Sequence, residues 1–489
     1  MERTDSGTGY ERLGGAKLSL VDVVAQSVGF MGPVFSAAFI IPLIMGIISA
    51  TGKGAGVAAP LSVLLAGIGV FALGWIVAQY AKRIHAAGSL YDYVTNGLGQ
   101  VMGAASGWLY YGGTIILTVG LGVLLGGYVH DTLLAEFQTE PLPIWAWNAI
   151  WAVVLFAVLY FGVQLSTRTQ LTLALIAALV VLSFFVYVIT KADNDVARAF
   201  NPNEAPGGMT GVLFGVLYGV LIFVGFETAA NLAEEAHQPK RAIPRAVLLS
   251  VVVVSIFYLI ASYTEVAGFG FNIEAFASAA AAPLFALASP SSAGGFGSTT
   301  LVRVMELVVL FDVMAVGIGA AVASTRGVFA MARDRRLPSP LASVSSRYET
   351  PTGAIVFLLA VQVAFILGTE FWDDLFAIPQ LPHYFAIFAW ASTFGGFALV
   401  VVYVLMAIGA LFGLRDHPNY AGVVIAALVG IALAGGAIYG SFVDVPRPTI
   451  LAPIYALVWG GIGLLYMLVV RGREPARNAL PDLSTGEEH

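Results

Sequence analysis

Leu221-Ile-Phe-Val-Gly225-Phe-Glu227-Thr-Ala-Ala-Asn-Leu-Ala-Glu234-Glu235-Ala-His-Gln-Pro239-Lys-Arg-Ala-Ile-Pro244-Arg245 leads from an apolar run into a carboxylate, then an acidic pair, then a basic cluster. A carboxylate inside a membrane-length apolar segment is costly, so Glu227 marks a pathway or a binding site by default. Gly225 beside it predicts a helix that breaks there and turns its backbone groups toward a ligand. The bland alternative is a hydrogen-bonded glutamate that locks one helix to its neighbour.

The composition around this stretch fixes the class. The 489 residues are 58% hydrophobic and 11% charged, where soluble domains carry about a quarter charged residues. This is the composition of an integral membrane protein in contact with lipid, and apolar runs of about 20 residues make the expected fold all-α. The chain has no cysteine, which excludes disulfides, thiolate metal sites and a disulfide-linked partner.

Apolar runs near 18–48, 58–80, 100–130, 144–163, 169–190, 210–236, 245–268, 301–330, 352–370, 382–411, 420–440 and 449–470 give about twelve crossings. The first is too long for a signal-peptide core and reads as a retained span. An even number places both termini on one side. Of the 23 lysines and arginines, all but Lys53, Lys191, Arg198, Arg303 and Arg447 fall on that side. The positive-inside rule makes it the cytoplasm, so the expected location is the cytoplasmic membrane, multi-pass.

The first span holds the second unusual stretch, Gln26-Ser-Val-Gly29-Phe30-Met-Gly32-Pro33-Val34-Phe-Ser36. Proline lacks a backbone donor and suits the first position of a helix. One helix is expected to end near Val28 and another to start at Pro33, with Gly29 and Gly32 at the break. The alternative is a proline kink in a continuous helix. Tyr110, Tyr111, Thr114 and Thr118 lie deep in the third span, where the tyrosine hydroxyls need partners. Asp312 stands fourteen positions before Arg326, or roughly 20 Å along a helix, near mid-membrane. It is a second intramembrane carboxylate. Segments 271–299 and 371–382 are expected outer caps or ordinary loops, and His383 an interfacial residue.

No HExxH, P-loop or nucleophile elbow appears, so no enzyme is expected. Neither are a metal, a cofactor or a nucleic-acid partner.

The two suspected breaks fall in spans one and six. Five spans separate corresponding positions, and an odd repeat unit inverts. Broken helices at matching places of inverted repeats point to a mid-membrane substrate site in a secondary transporter. The resulting division is an N-tail 1–17, a first repeat 18–190, an outer loop 191–209, a second repeat 210–411, two further helices 412–470, and a C-tail 471–489.

These residues also resemble a known family. Phe223-Val-Gly-Phe-Glu227, Glu234-Glu235 and Pro239-Lys-Arg-Ala-Ile-Pro244-Arg245 resemble the sixth-span signature of the amino acid–polyamine–organocation superfamily. Ala87-Gly-Ser-Leu-Tyr91, Thr325-Arg326, Met331-Ala-Arg-Asp334, Leu337-Pro338 and Thr350-Pro351 resemble its loop motifs, in order. The resemblance implies a five-plus-five inverted repeat with spans one and six broken, as in the bacterial leucine transporter fold. It implies uptake or exchange of amino acids or related amines.

By that resemblance a substrate carboxylate meets amides at the start of the outer half of span one, and the ammonium meets carbonyls of span six. Phe30, Pro33 and Val34 would line the site from span one. Leu221, Val224, Gly225 and Glu227 would line it from span six, and Tyr110, Gly113 and Thr114 from span three, with Tyr110 a partner of Glu227. Two departures stand out. Gly32-Pro33-Val34 replaces the family's common Gly-Ser-Gly, which removes one amide donor and hinders close approach. A decarboxylated amine would not need that cradle. Ala177 stands where proton-coupled relatives often have lysine.

The expected function is therefore a secondary active transporter of amino acids, or alternatively of amines or polyamines, working by alternating access. Glu227 and Asp312 are the candidates for coupling to protons or sodium, or for receiving a substrate cation. The competing class is a membrane receptor that senses amino acids without moving them.

Overall fold

The computed structural model describes residues 18–46, 54–84, 88–161, 163–279, 283–371, 376–378, 381–443, 445 and 447–470. The expected N-tail 1–17 and C-tail 471–489 lie outside them, as do Lys53, His85, Ala87, Gly162 and residues 372–375 and 379–380 of the 371–382 cap. The described residues are helical, with no strand among them.

Ten helices are long and apolar enough to cross a membrane: Leu20–Met45, Gly56–Ala81, Gln100–Phe137, Ile144–Phe161, Ala174–Lys191, Pro239–Gly268, Thr299–Arg333, His383–Gly413, Tyr420–Gly440 and Leu451–Val470. Two further apolar helices are Met209–Leu221, which falls short of that length, and Thr352–Phe371, which has 20 residues. They occupy the sixth and ninth of the expected crossings. Met209–Leu221 has 13 residues, about 20 Å of helix against a hydrocarbon thickness of about 30 Å. It is short because the chain leaves the helix at Ile222.

Small residues set how closely the inner helices approach. Along Gln100–Phe137, a Cβ on Gly113 would stand 2.9 Å from Ala398 Cβ and 3.3 Å from Gly395 O. Gly97 lies against the backbone of Gly409 in the same way. Lipid supplies no hydrophobic drive between helices, so such close backbone packing does the work. It brings the third span against His383–Gly413 and sets Tyr110 and Tyr403 near the same point. Outward faces are apolar and exposed, as at Leu175, Ile176 and Leu179 or Val252, Val253 and Ile256.

The first span is interrupted. Its opening helix, Leu20–Met31, begins on a capping box between Ser19 and Asp22. It ends at Gly32, whose φ of +52° is left-handed and whose N–H donates to Val28 O at 3.1 Å. Pro33 then opens a second run through a wide turn at Ser36–Ile40 to Met45. The helix thus persists three residues beyond the expected end at Val28, and Gly29 is an interior helical residue rather than part of the break. The left-handed cap falls at Gly32, where a Cβ would collide with Val316.

The sixth span breaks differently. After Leu221 come turns through Ile222–Glu227, with Gly225 at φ +114°, and then a tight helical stretch at Thr228–Leu232. The interruption therefore starts before Gly225. The 271–299 segment carries two short helices, Ile273–Ser278 and Pro283–Ala288. The second packs on the Ser36–Ile40 turn and on Thr299–Arg333.

Candidate functional site

The two interruptions face each other. A Cβ on Gly225 would stand 2.8 Å from Phe30 Cβ and 3.1 Å from Met31 N, so only glycine permits this approach. Ser27 Oγ donates to Phe226 O at 3.1 Å and accepts from Ala229 N at 3.3 Å. Tyr258 Oη lies 2.7 Å from both Met31 O and Ile222 O, the carbonyls freed on either side. Buried backbone groups need partners, and this hydroxyl, with Ser36 Oγ donating to Met31 O at 3.0 Å, supplies them.

Beside the gap lies a hollow of about 20 Å³ lined by Phe30, Met31, Phe35, Leu221, Val224 and Val316, among others. That is room for about one water. An amino acid enters only after the surrounding helices move. Leu117 and Leu121 face it from the third span. Gly113 packs against the tenth span instead, and Thr114 Oγ1 donates to Tyr111 O of its own helix at 3.1 Å.

Glu227 is fully buried and is not among the residues that line the hollow. Its Oε1 accepts from Tyr110 Oη at 2.6 Å and from Tyr403 Oη at 3.1 Å, and its Oε2 accepts from Gly225 N at 3.3 Å. The pairing with Tyr110 is the one the family resemblance implied; Tyr403 is added from the helix His383–Gly413. Asp312 is also fully buried. Its Oδ2 accepts from Val34 N at 2.9 Å and Phe35 N at 2.7 Å, capping the second run of span one. Pro33 stands at the head of that run with no N–H to offer.

The loop motifs gather at one end of the bundle. Arg326 Nε donates to Glu235 Oε1 at 2.8 Å and Arg333 Nη2 to Glu234 Oε1 at 2.9 Å, all four side chains largely buried. Tyr91 Oη donates to Asp334 Oδ2 at 3.0 Å. Leu18 N bonds Glu235 O and His237 N bonds Leu18 O, tying the start of span one to the end of span six. Toward the other end the rings of Phe35, Phe39, Phe385, Phe388 and Tyr128 pack together at centroid distances of 5.7–5.9 Å. The hollow thus sits between an ionic closure and an aromatic one.

Sequence reasoning passed over Tyr258, Tyr403 and a further fully buried carboxylate, Glu265, neither of whose oxygens has a hydrogen-bond partner. Glu265 is the only acidic residue of its span, a signal that was present in the sequence. Among the described residues no three His, Cys, Asp or Glu side chains converge as a metal site requires.

Comparison with known proteins bears on this arrangement. The profile of the family described as amino acid permease matches residues 28–441. The branched-chain amino acid permease BcaP of Bacillus subtilis is 25% identical over 329 residues, covering 64% of this chain and 68% of that protein. A vacuolar cationic amino acid transporter 4 of Arabidopsis thaliana is 24% identical over 390 residues, covering 76% and 62%. The methylthioribose transporter of Bacillus subtilis is 24% identical over 322 residues, covering 63% and 66%. The chain belongs to the amino acid permease family, and is an integral multi-pass membrane transporter of amino acids or related compounds rather than an enzyme.

Proposed function

We propose that this protein is a secondary active transporter that moves amino acids or related amines across the cytoplasmic membrane by alternating access. The observation that carries the reading is the juxtaposition of the two breaks, with Gly225 against Phe30 and Glu227 held beside them. Residues 18–190 and 210–411 form the two inverted five-span repeats, 191–209 the outer loop, and 412–470 two added helices. The tails 1–17 and 471–489 both lie in the cytoplasm.

Phe30, Pro33, Val34, Leu221, Val224 and Gly225 form the substrate's surroundings. Gly113 and Thr114 let the third span approach. Tyr110 and Tyr403 hold Glu227 in one orientation, so a change in its charge or a nearby cation is felt at the break. Glu227 and Asp312 are the groups that couple transport to a proton or a sodium ion or that receive a substrate cation. Uptake in sodium-free buffer at fixed pH separates the two ions: proton coupling leaves it intact, and sodium coupling abolishes it.

Counterflow of a labelled substrate in proteoliposomes tests the function. Glu227→Gln keeps an acceptor for both tyrosines while removing the charge. It is expected to remain folded and to lose at least tenfold in counterflow. Undiminished counterflow by that variant removes Glu227 from the mechanism, and binding without counterflow in the wild type makes the protein a sensor instead.

A further inference from the structure

The helical run that opens at Pro33 has few amides to give. Proline has none, and Ser36 N is already bonded to Gly32 O at 2.8 Å. The donors left at this end are Val34 N and Phe35 N. Both go to one oxygen, Asp312 Oδ2. A helix N-terminus favours an anion, and here a carboxylate of the protein's own already fills the place.

The other oxygen, Asp312 Oδ1, has no hydrogen-bond partner, although the residue is fully buried. No lysine or arginine forms an ion pair with Asp312 among the described residues. Val316, one turn on, lines the hollow, and Gly32 lies against both Val316 and Asp312. Glu227 differs, because each of its oxygens already has a donor. A carboxylate arriving at the head of the run finds no free amide and a resident like charge. An ammonium arriving there finds an acceptor that lacks a donor.

We propose that Asp312 stands in for a substrate carboxylate, and that the site selects alkylammonium substrates lacking one, bound through Asp312 Oδ1. This inference rests on the transporter reading for its location but is tested by binding alone. The probes are pairs that differ only by the carboxylate: isoamylamine and leucine, putrescine and ornithine, tyramine and tyrosine. Binding to the full-length purified protein is read by the rise in melting temperature, since a ligand of the folded state raises it.

At least one amine is expected to bind tenfold or more tighter than its parent amino acid. Asp312→Asn keeps an acceptor for both amides but not the charge, so it should fold normally and bind that amine at least tenfold more weakly. Asp312→Ala frees the two amides and should reverse the preference toward the amino acid. An amino acid that binds as well as its amine with Asp312 intact overturns the inference, as does an Asp312→Asn variant of unchanged amine affinity. Binding of neither member of any pair also overturns it. Counterflow separates the two claims. Amine binding without counterflow supports the inference and removes the transport reading, whereas counterflow that favours amino acids keeps that reading and removes the inference.

Discussion

Glu227 is withdrawn from water and holds three donors: two tyrosine hydroxyls and the amide of Gly225. A buried carboxylate in an apolar medium needs such partners. The geometry depends on Gly225, whose φ of +114° is strained for any L side chain and whose missing Cβ makes room for Phe30. Gly225→Ala is therefore expected to cost about 1–3 kcal/mol from backbone strain alone, read as a lower melting temperature. Gly435→Ala is the control. It sits in a helix with open space around its Cα, and should be neutral or stabilising by up to about 1 kcal/mol. Much of this scale was legible in the sequence: a carboxylate in an apolar run, a glycine beside it, a deep tyrosine. The bond from Asp312 to Val34 and Phe35 was not. It joins residues 278 and 277 positions apart, and no local pattern encodes that meeting.

At the scale of elements, both interruptions were announced by Gly and Pro, but their limits were set by caps rather than by composition. Leu20–Met31 runs on through Gly29 because that glycine keeps its helical conformation; the left-handed turn is at Gly32. Met209–Leu221 stops early because the carbonyls beyond it find partners outside the helix, as Ile222 O does with Tyr258. The acidic pair after span six is followed in sequence by a basic cluster at Lys240, Arg241 and Arg245. Its ion-pair partners are Arg326 and Arg333, far along the chain. Removing one member of such a pair strands a buried charge, at a cost of about 3–5 kcal/mol. Arg326→Ala and Glu235→Ala should each lower the melting temperature markedly, while the double variant costs less than the two summed. A double-mutant cycle with additive losses would show the ion pair to be energetically idle.

Over the whole molecule, hydropathy alone located the ten long apolar helices, because a spanning helix must be long and apolar regardless of its neighbours. It missed that the helix of the sixth expected crossing has only 13 residues, Met209–Leu221, since that span is cut by tertiary contacts. Sidedness rests on the distribution of lysine and arginine. The chain has no cysteine, so single cysteines report topology without a background. A cysteine replacing Arg415 should be modified only after the membrane is made permeable, whereas one replacing Arg198 should react from outside in intact cells. The opposite pattern inverts the assigned orientation.

The same lack of cysteine permits the most direct test of the paired breaks as the transport site. Val224→Cys places a thiol at the sixth-span interruption, beside the hollow. In proteoliposomes the variant's uptake should be blocked by a small thiol reagent, and transported substrate should slow that block at least tenfold. Full uptake after complete modification of the thiol, or a block that substrate leaves unslowed, would contradict the account.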